Sequence, residues 1–256
     1  MSIDPQHTIM TLQDLIRLDT TNPPGNEIIA AEYIANQFVE DGIPYEILES
    51  APGRGSIIAR LKGSGEGGPL LLMSHTDVVP ADPTEWSRDP FGGDLVDGYV
   101  WGRGAVDTKC LTAMQLNVFR QLKREGVPLQ CDVIFAATAD EEVGGQYGMQ
   151  WLVDNHWDKV ACQYAINEGG GLGIKMGHKR VYVCQTAEKG TCWMRITTRG
   201  EPGHGSTPRG ETAVSRLVDA FSRLAHARLP RHRIATVEHF VREVAATQPF
   251  LASAML

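Results

Sequence analysis

The chain has 256 residues, 42% of them apolar and 21% charged, with 24 basic and 31 acidic side chains and a formal charge of −7. That composition excludes a disordered chain, and the acidic balance argues against a surface that tracks nucleic-acid phosphates, which needs a cationic footprint. One basic stretch, Arg223 to Arg233, reads as a solvated helix end and linker.

Helical spacing runs over Ile9–Leu18 and Glu27–Asp41, with the breaker TTNPPGN between them. Strand patterns follow at Tyr45–Leu48, Ser56–Leu61 and Leu70–Ser74. A helix is predicted over Thr108–Glu125, a strand over Asp132–Ala137 and a helix over Gln146–Asn155. Further strands are predicted near Gln163–Asn167 and Val181–Gln185. Strands alternating with helices imply an α/β layered domain around a largely buried sheet. After TAEKG (Thr186–Gly190) the pattern changes: a predicted strand TCWMRITTR, a Gly/Pro-rich loop GEPGHGSTPRGE and a helix over Thr212–Arg228. This unit either extends the first sheet or opens a second domain.

The N-terminus lacks a basic region followed by an apolar one, and no window approaches the roughly eighteen apolar residues of a membrane span. Five cysteines, Cys110, Cys131, Cys162, Cys184 and Cys192, include no CxxC pair and read as reduced, buried thiols in a cytoplasmic, soluble protein. GSGEGG (Gly63–Gly68) matches the GxGxxG pattern, but a strand follows where a phosphate-binding helix would have to start, so it reads as a hairpin loop. P-loop, GxSxG and HExxH motifs are absent from the sequence.

Chemistry-bearing residues gather at predicted strand ends. In PLLLMSHTDVVPA, His75 and Asp77 share one strand face, which suits a metal ligand and the carboxylate that orients it, or a hydrogen-bonded structural pair. Asp107, in WGRGAVDTKC, stands just before a helix and fits either a metal ligand or a plain N-cap. AATADEEVGG runs a buried strand into Asp140, Glu141 and Glu142, a cluster that repels itself unless protons or cations compensate. It is a metal or catalytic site, or an acidic helix start. Glu168 in YAINEGGG ends another apolar strand, as a ligand or as part of a turn. Together these give one histidine and several carboxylates, a set suited to Zn2+, with Co2+ or Mn2+ as substitutes, and to two ions more than one.

SHTDVVPA, DPFGG, WGRGAVDTK, ADEEVGG, NEGG and GHGSTP, in this order, resemble the di-zinc aminoacylase/carboxypeptidase family of metallopeptidases. The resemblance implies a mixed, mostly parallel sheet with helices on both faces, and the beginning of an inserted α+β lid that mediates homodimerisation. It implies an incomplete catalytic domain over residues 1–188 and a partial lid over 189–256. His75 and Glu168 would hold one zinc, Asp107 would bridge to a second, and Glu142 would bind that second ion. Asp77 would orient His75, and Glu141 would be the general base on the water between the metals. The Asp107–Thr108 peptide would be cis, and His204 would reach a partner's site to stabilise the oxyanion. The implied reaction is hydrolysis of an amide in an N-acyl amino acid or small peptide, with no nucleic acid or membrane as partner. Family members run past this length and supply a further histidine to the second zinc, for which His226, His232 and His239 are not replacements. The chain is therefore expected to be an N-terminal portion in which the second ion is held weakly or not at all. The alternative is a non-catalytic dimerisation or ligand-binding module of the same fold.

Overall fold

The computed structural model describes residues 4–169, 173–176, 179–182, 190, 192–207, 210–230 and 232–246. The chain divides into two compact units, Met1–Gly169 and Gly170–Leu256.

The first unit opens with helix α1, Pro5–Arg17, which starts where sequence chemistry favours it. Asp4 accepts the Gln6 N–H, and Pro5 stands at the first helical position, where its missing N–H costs nothing. Helix α2 spans Ile28–Glu40, and strands β1 (Tyr45–Glu49), β2 (Gly55–Leu61) and β3 (Leu70–His75) follow. Next come a small hairpin, β4 (Asp94–Val96) with β5 (Tyr99–Trp101), and helix α3, Lys109–Arg124. Strand β6 covers Val133–Thr138, short helices α4 and α5 cover Met149–Asn155 and Trp157–Val160, and β7 covers Tyr164–Ile166.

Strand order in the main sheet is β1-β2-β6-β3-β7. The pairs β6–β3 and β3–β7 are parallel, and β1–β2 and β2–β6 are antiparallel. Side chains alternate across this sheet with the period of two that pleating imposes. On one face Ile57, Ala59, Leu72 and Phe135 pack with Leu15 of α1, Ile34 and Phe38 of α2, and Leu116 and Phe119 of α3. On the other, Ile58, Leu71 and Ile134 pack with Leu152 of α4 and Val160 of α5. Helices therefore cover both faces, which is why β6 reads as a nearly continuous apolar run and β2 is buried along almost its whole length. The α/β architecture expected from sequence is the one observed. No helix among the described residues is long and apolar enough to cross a membrane.

The second unit contains a hairpin, β8 (Gly173–Met176) with β9 (Lys179–Tyr182), and helices α6 (Ala213–His226) and α7 (Ala235–Ala246). Helix α6 begins with a reciprocal capping box between Thr212 and Ser215.

Two sequence expectations need correction, and one element was missed. Residues 192–199 form no strand. The β-branched pattern is there, but none of the described residues supplies the partner ladder a strand needs for its backbone groups. The β4–β5 hairpin was not anticipated, although its Asp97–Gly98 turn, with φ of 52° and 81°, is a strong local hairpin signal. Cys110, Cys131 and Cys162 are half-buried and Cys192 is exposed, all as free thiols, because they lie at element ends and in loops, where even Cys162, packed on the edge of the core, stays partly open. Cys184 and the end of the predicted strand Val181–Gln185 lie outside the described residues.

Phe135 is fully buried between Phe38 and Phe119, with ring centroids 5.5 and 5.7 Å away. Phe135→Ala is predicted to destabilise the first unit by about 3–5 kcal/mol, measured as a lowered urea midpoint. A shift below about 1 kcal/mol would contradict this packing.

Candidate metal centre

Strands β3 and β6 run parallel and in register, so their C-terminal ends, His75 and Thr138, lie side by side. Open α/β sheets present ligands at this edge. Beyond His75 the chain is held by an extended segment of the N-terminal loop. The Asn22 N–H donates to the Val78 carbonyl at 2.9 Å, the Val78 N–H to the Thr20 carbonyl at 3.2 Å, and the Thr20 hydroxyl to the Thr76 carbonyl at 2.6 Å.

His75 is 2% exposed. Its Nδ1 lies 3.0 Å from the Asp77 carbonyl oxygen and 3.3 Å from Asp77 Oδ1. Both oxygens can only accept, so Nδ1 carries a proton and Nε2 faces the other acids. From Nε2, Asp107 Oδ1 is 3.1 Å away, Glu168 Oε2 3.6 Å and Glu141 Oε2 3.7 Å. Ligand atoms of His75, Asp107 and Glu142 lie within 4.8 Å of one another, and so do those of His75, Glu141 and Glu168. Five of the seven residues expected at the site thus converge on one point, and Asp77 stands directly behind His75.

Each is delivered by local structure. Asp107 precedes α3, with Thr108 at the N-cap position, so the cap alternative for Asp107 does not hold; the Asp107–Thr108 peptide is cis, as expected. The next residue, Lys109, is fully buried and donates its ammonium to the Leu15 and Leu18 carbonyls at 2.9 and 2.8 Å, tying this loop to the end of α1. Burial lowers its pKa to about 8. After β6, Asp140 adopts a left-handed conformation (φ 68°) and turns the chain into a short 3-10 segment, Glu141–Val143. Gly148 follows because a Cβ there would lie 1.7 Å from the Ala139 carbonyl oxygen. Glu168 comes two residues after β7.

Asp77 has no exposed surface, and its carboxylate joins these pieces. Besides His75 it accepts the Glu141 N–H at 3.0 Å, the Glu142 N–H at 3.1 Å and the Asn22 amide at 2.8 Å. Burial alone would raise its pKa, but the bonds from His75 and Asn22 outweigh this and hold it below the usual carboxylate range. For His75, burial opposes the protonated form. The Asp77 bond and the charges of Asp77, Glu168 and Glu141 overcome it and raise the pKa to about 9. Burial pushes Glu141 and Glu142 upward, and neighbouring carboxylates, Asp107 among them, push the same way.

This donor set fits a divalent cation. Imidazole nitrogen and carboxylate oxygens are the ligands Zn2+ and similar ions take, and the orienting carboxylate behind His75 is the usual support of such a ligand. Mutual repulsion among the acids is the penalty a cation would relieve.

Sequence reasoning missed the polar network behind the site. Asp140 accepts from Asn22 at 3.1 Å, from Arg54 at 2.7 Å and from the Tyr147 N–H at 2.9 Å. Arg54 also makes a two-pronged pair with the buried Glu27 and stacks on Tyr147. The one local hint was the Asn-Pro-Pro-Gly breaker itself. His204 belongs to the second unit; it is exposed, and its Nδ1 accepts the Ser206 N–H at 3.3 Å, leaving Nε2–H as a donor in the neutral ring.

A family model described as peptidase family M20/M25/M40 matches residues 71–252. Aminoacylase-1 of Sus scrofa is 32% identical over 216 residues, covering 83% of this chain and 52% of that protein. The N-fatty-acyl-amino acid synthase/hydrolase PM20D1 of Xenopus tropicalis is 35% identical over 167 residues, 63% of this chain and 32% of that protein. The chain spans about half the length of the aminoacylases it matches. Among solved structures, an M20 family metallo-carboxypeptidase from Sulfolobus solfataricus superposes with a TM-score of 0.57 at 24% identity, over 66% of this chain and 38% of that one. Human carnosine dipeptidase 1 does so with a TM-score of 0.52 at 23% identity, over 63% and 38%. These two likenesses bear on the fold.

A cation at Nε2 must displace the proton that His75 holds up to about pH 9 in the metal-free chain. Apparent Zn2+ affinity is therefore predicted to rise about tenfold per pH unit from neutral pH towards 9 and to level off above it. Calorimetric titration at two pH values, in buffers of different ionisation enthalpy, measures both the slope and the released proton. An affinity independent of pH would contradict this site.

Proposed function

The chain belongs to peptidase family M20/M25/M40, and on that premise we propose that its protein is a metal-dependent hydrolase of amide bonds in N-acyl amino acids or small peptides. The observation that carries this reading is the convergence of His75, Asp107, Glu141, Glu142 and Glu168 at one sheet edge. The likeness to an aminoacylase and to an N-fatty-acyl-amino acid synthase/hydrolase favours acyl amino acids as substrates.

His75 and Glu168 would hold one Zn2+, Asp107 would bridge, and Glu142 would serve a second ion, with Co2+ or Mn2+ as substitutes. Ions held there would supply Lewis acidity towards the scissile carbonyl and lower the pKa of water. Glu141 acts as general base. Its side chain is 51% exposed, so it reaches solvent and substrate, while its backbone N–H is anchored on Asp77. A carboxylate so placed can take a proton from water and give it to the leaving amine. Asp77 holds the His75 ring and fixes its tautomer throughout. His204, with Nδ1 occupied by Ser206, offers Nε2–H to the oxyanion of a tetrahedral intermediate, contributed from one protomer to its partner.

Residues 1–188 are assigned to the catalytic domain and 189–256 to a lid that mediates a homodimer. The free thiols among the described residues suit a reducing, cytoplasmic compartment.

Glu141→Gln keeps the size of the side chain and removes the base. Hydrolysis of N-acetyl amino acids by the full-length protein is predicted to fall by at least about a hundredfold, with metal content by elemental analysis unchanged. Undiminished turnover in that variant would overturn the assignment.

A further inference from the structure

We propose that Asn22 is a positioning residue of the metal centre. Its side-chain amide cross-links Asp77 to Asp140 and so sets the spacing between His75 on one strand end and Glu141 and Glu142 on the next. The inference rests on the reading of these residues as metal ligands and base.

Asn22 is 2% exposed, and one nitrogen, Nδ2, donates to Asp77 Oδ2 at 2.8 Å and to Asp140 Oδ1 at 3.1 Å. Both carboxylates are buried, Asp77 at 0% and Asp140 at 3% exposure. Asp77 follows β3 and holds His75. Asp140 follows β6 and directly precedes Glu141 and Glu142. Two like charges that close would spread the strand ends apart unless a shared donor draws them together. An amide with two N–H groups does this, whereas a hydroxyl serves only one side.

Each end is also secured without this amide. The Asn22 backbone is pinned to Val78, and Asp140 is held by Arg54, itself locked onto Glu27 and the Pro24 carbonyl at 3.1 Å. A side chain at Gly25 would strike the Arg54 guanidinium at 2.5 Å, so the TTNPPGN loop is shaped around both residues. Loss of the Asn22 amide therefore removes the side-chain link from Asp77 to Asp140 and leaves the two halves joined by the Glu141 and Glu142 N–H bonds to Asp77. Its consequence is a looser ligand set, and the fold survives.

The test is Co2+ binding by the intact metal-free chain, followed by competition with a chromophoric chelator and by the visible spectrum of the bound ion, which reports ligand geometry. The comparison variant is Asn117→Ala. Asn117 is a buried amide on α3 bonded to Thr11 and the Ala113 carbonyl, and neither bond involves a residue of the candidate site. Asn22→Ala is predicted to bind Co2+ about 10–100-fold more weakly with a shifted spectrum, and Asn117→Ala to stay within about twofold of the unsubstituted chain with its spectrum unchanged. Asn22→Ser, which keeps a donor for one carboxylate, should fall between them, and it carries the same comparison if the alanine variant does not fold. Wild-type affinity and spectrum in both Asn22 variants would overturn the positioning role. An unsubstituted chain that binds no Co2+ would overturn the metal centre itself, and the positioning role with it.

Discussion

A single buried carboxylate, Asp77, organises the site. It sits at the C-terminal edge of the sheet with no exposed surface and accepts from an imidazole, a side-chain amide and two backbone N–H groups. A buried charge is tolerated only with such compensation. The same four bonds connect β3, the segment after β6 and the N-terminal loop. Burying this charge and aligning the candidate ligands are thus one event: the donors that stabilise Asp77 belong to the residues that face the candidate cation site or lead into it.

The rest of the electrostatics follows. Asp77 stays ionised and makes His75 more basic, which favours a proton or a cation on the far side of the ring. There the acids stand close enough to raise one another's pKa. The two apolar layers on either side of the sheet are built from Phe38, Phe119, Phe135, Ile134 and Leu152, none of which touches this chemistry. Stability and function occupy different parts of the molecule, as expected where a site is carried on the edge of a rigid sheet.

Much of this was legible in the sequence because it is local. The buried apolar runs of β3 and β6 and the helical spacing of α1, α2 and α3 read directly. His75 and Asp77, two residues apart at a strand end, and the acids after β6 and β7 could be named as a set. Where local signals failed, the cause was non-local. Residues 192–199 have strand-like chemistry without a partner ladder among the described residues. Asn22, Arg54 and Glu27 bond to groups 55 to 118 residues away, or to one another across a loop, so no spacing rule exposes them. The Asp97–Gly98 turn is the opposite case, a local signal present in the chain and passed over.

X-ray absorption at the zinc edge of the Zn2+-loaded chain tests the centre most directly. The account predicts a shell of nitrogen and oxygen only, at about 2.0–2.2 Å, with the outer scattering of an imidazole. Cys110 is the nearby competitor, in the first turn of α3 with its thiol donating to the Val106 carbonyl. A sulfur at about 2.3 Å, or a shell without imidazole, would contradict the assignment of His75 and its carboxylates as the metal site.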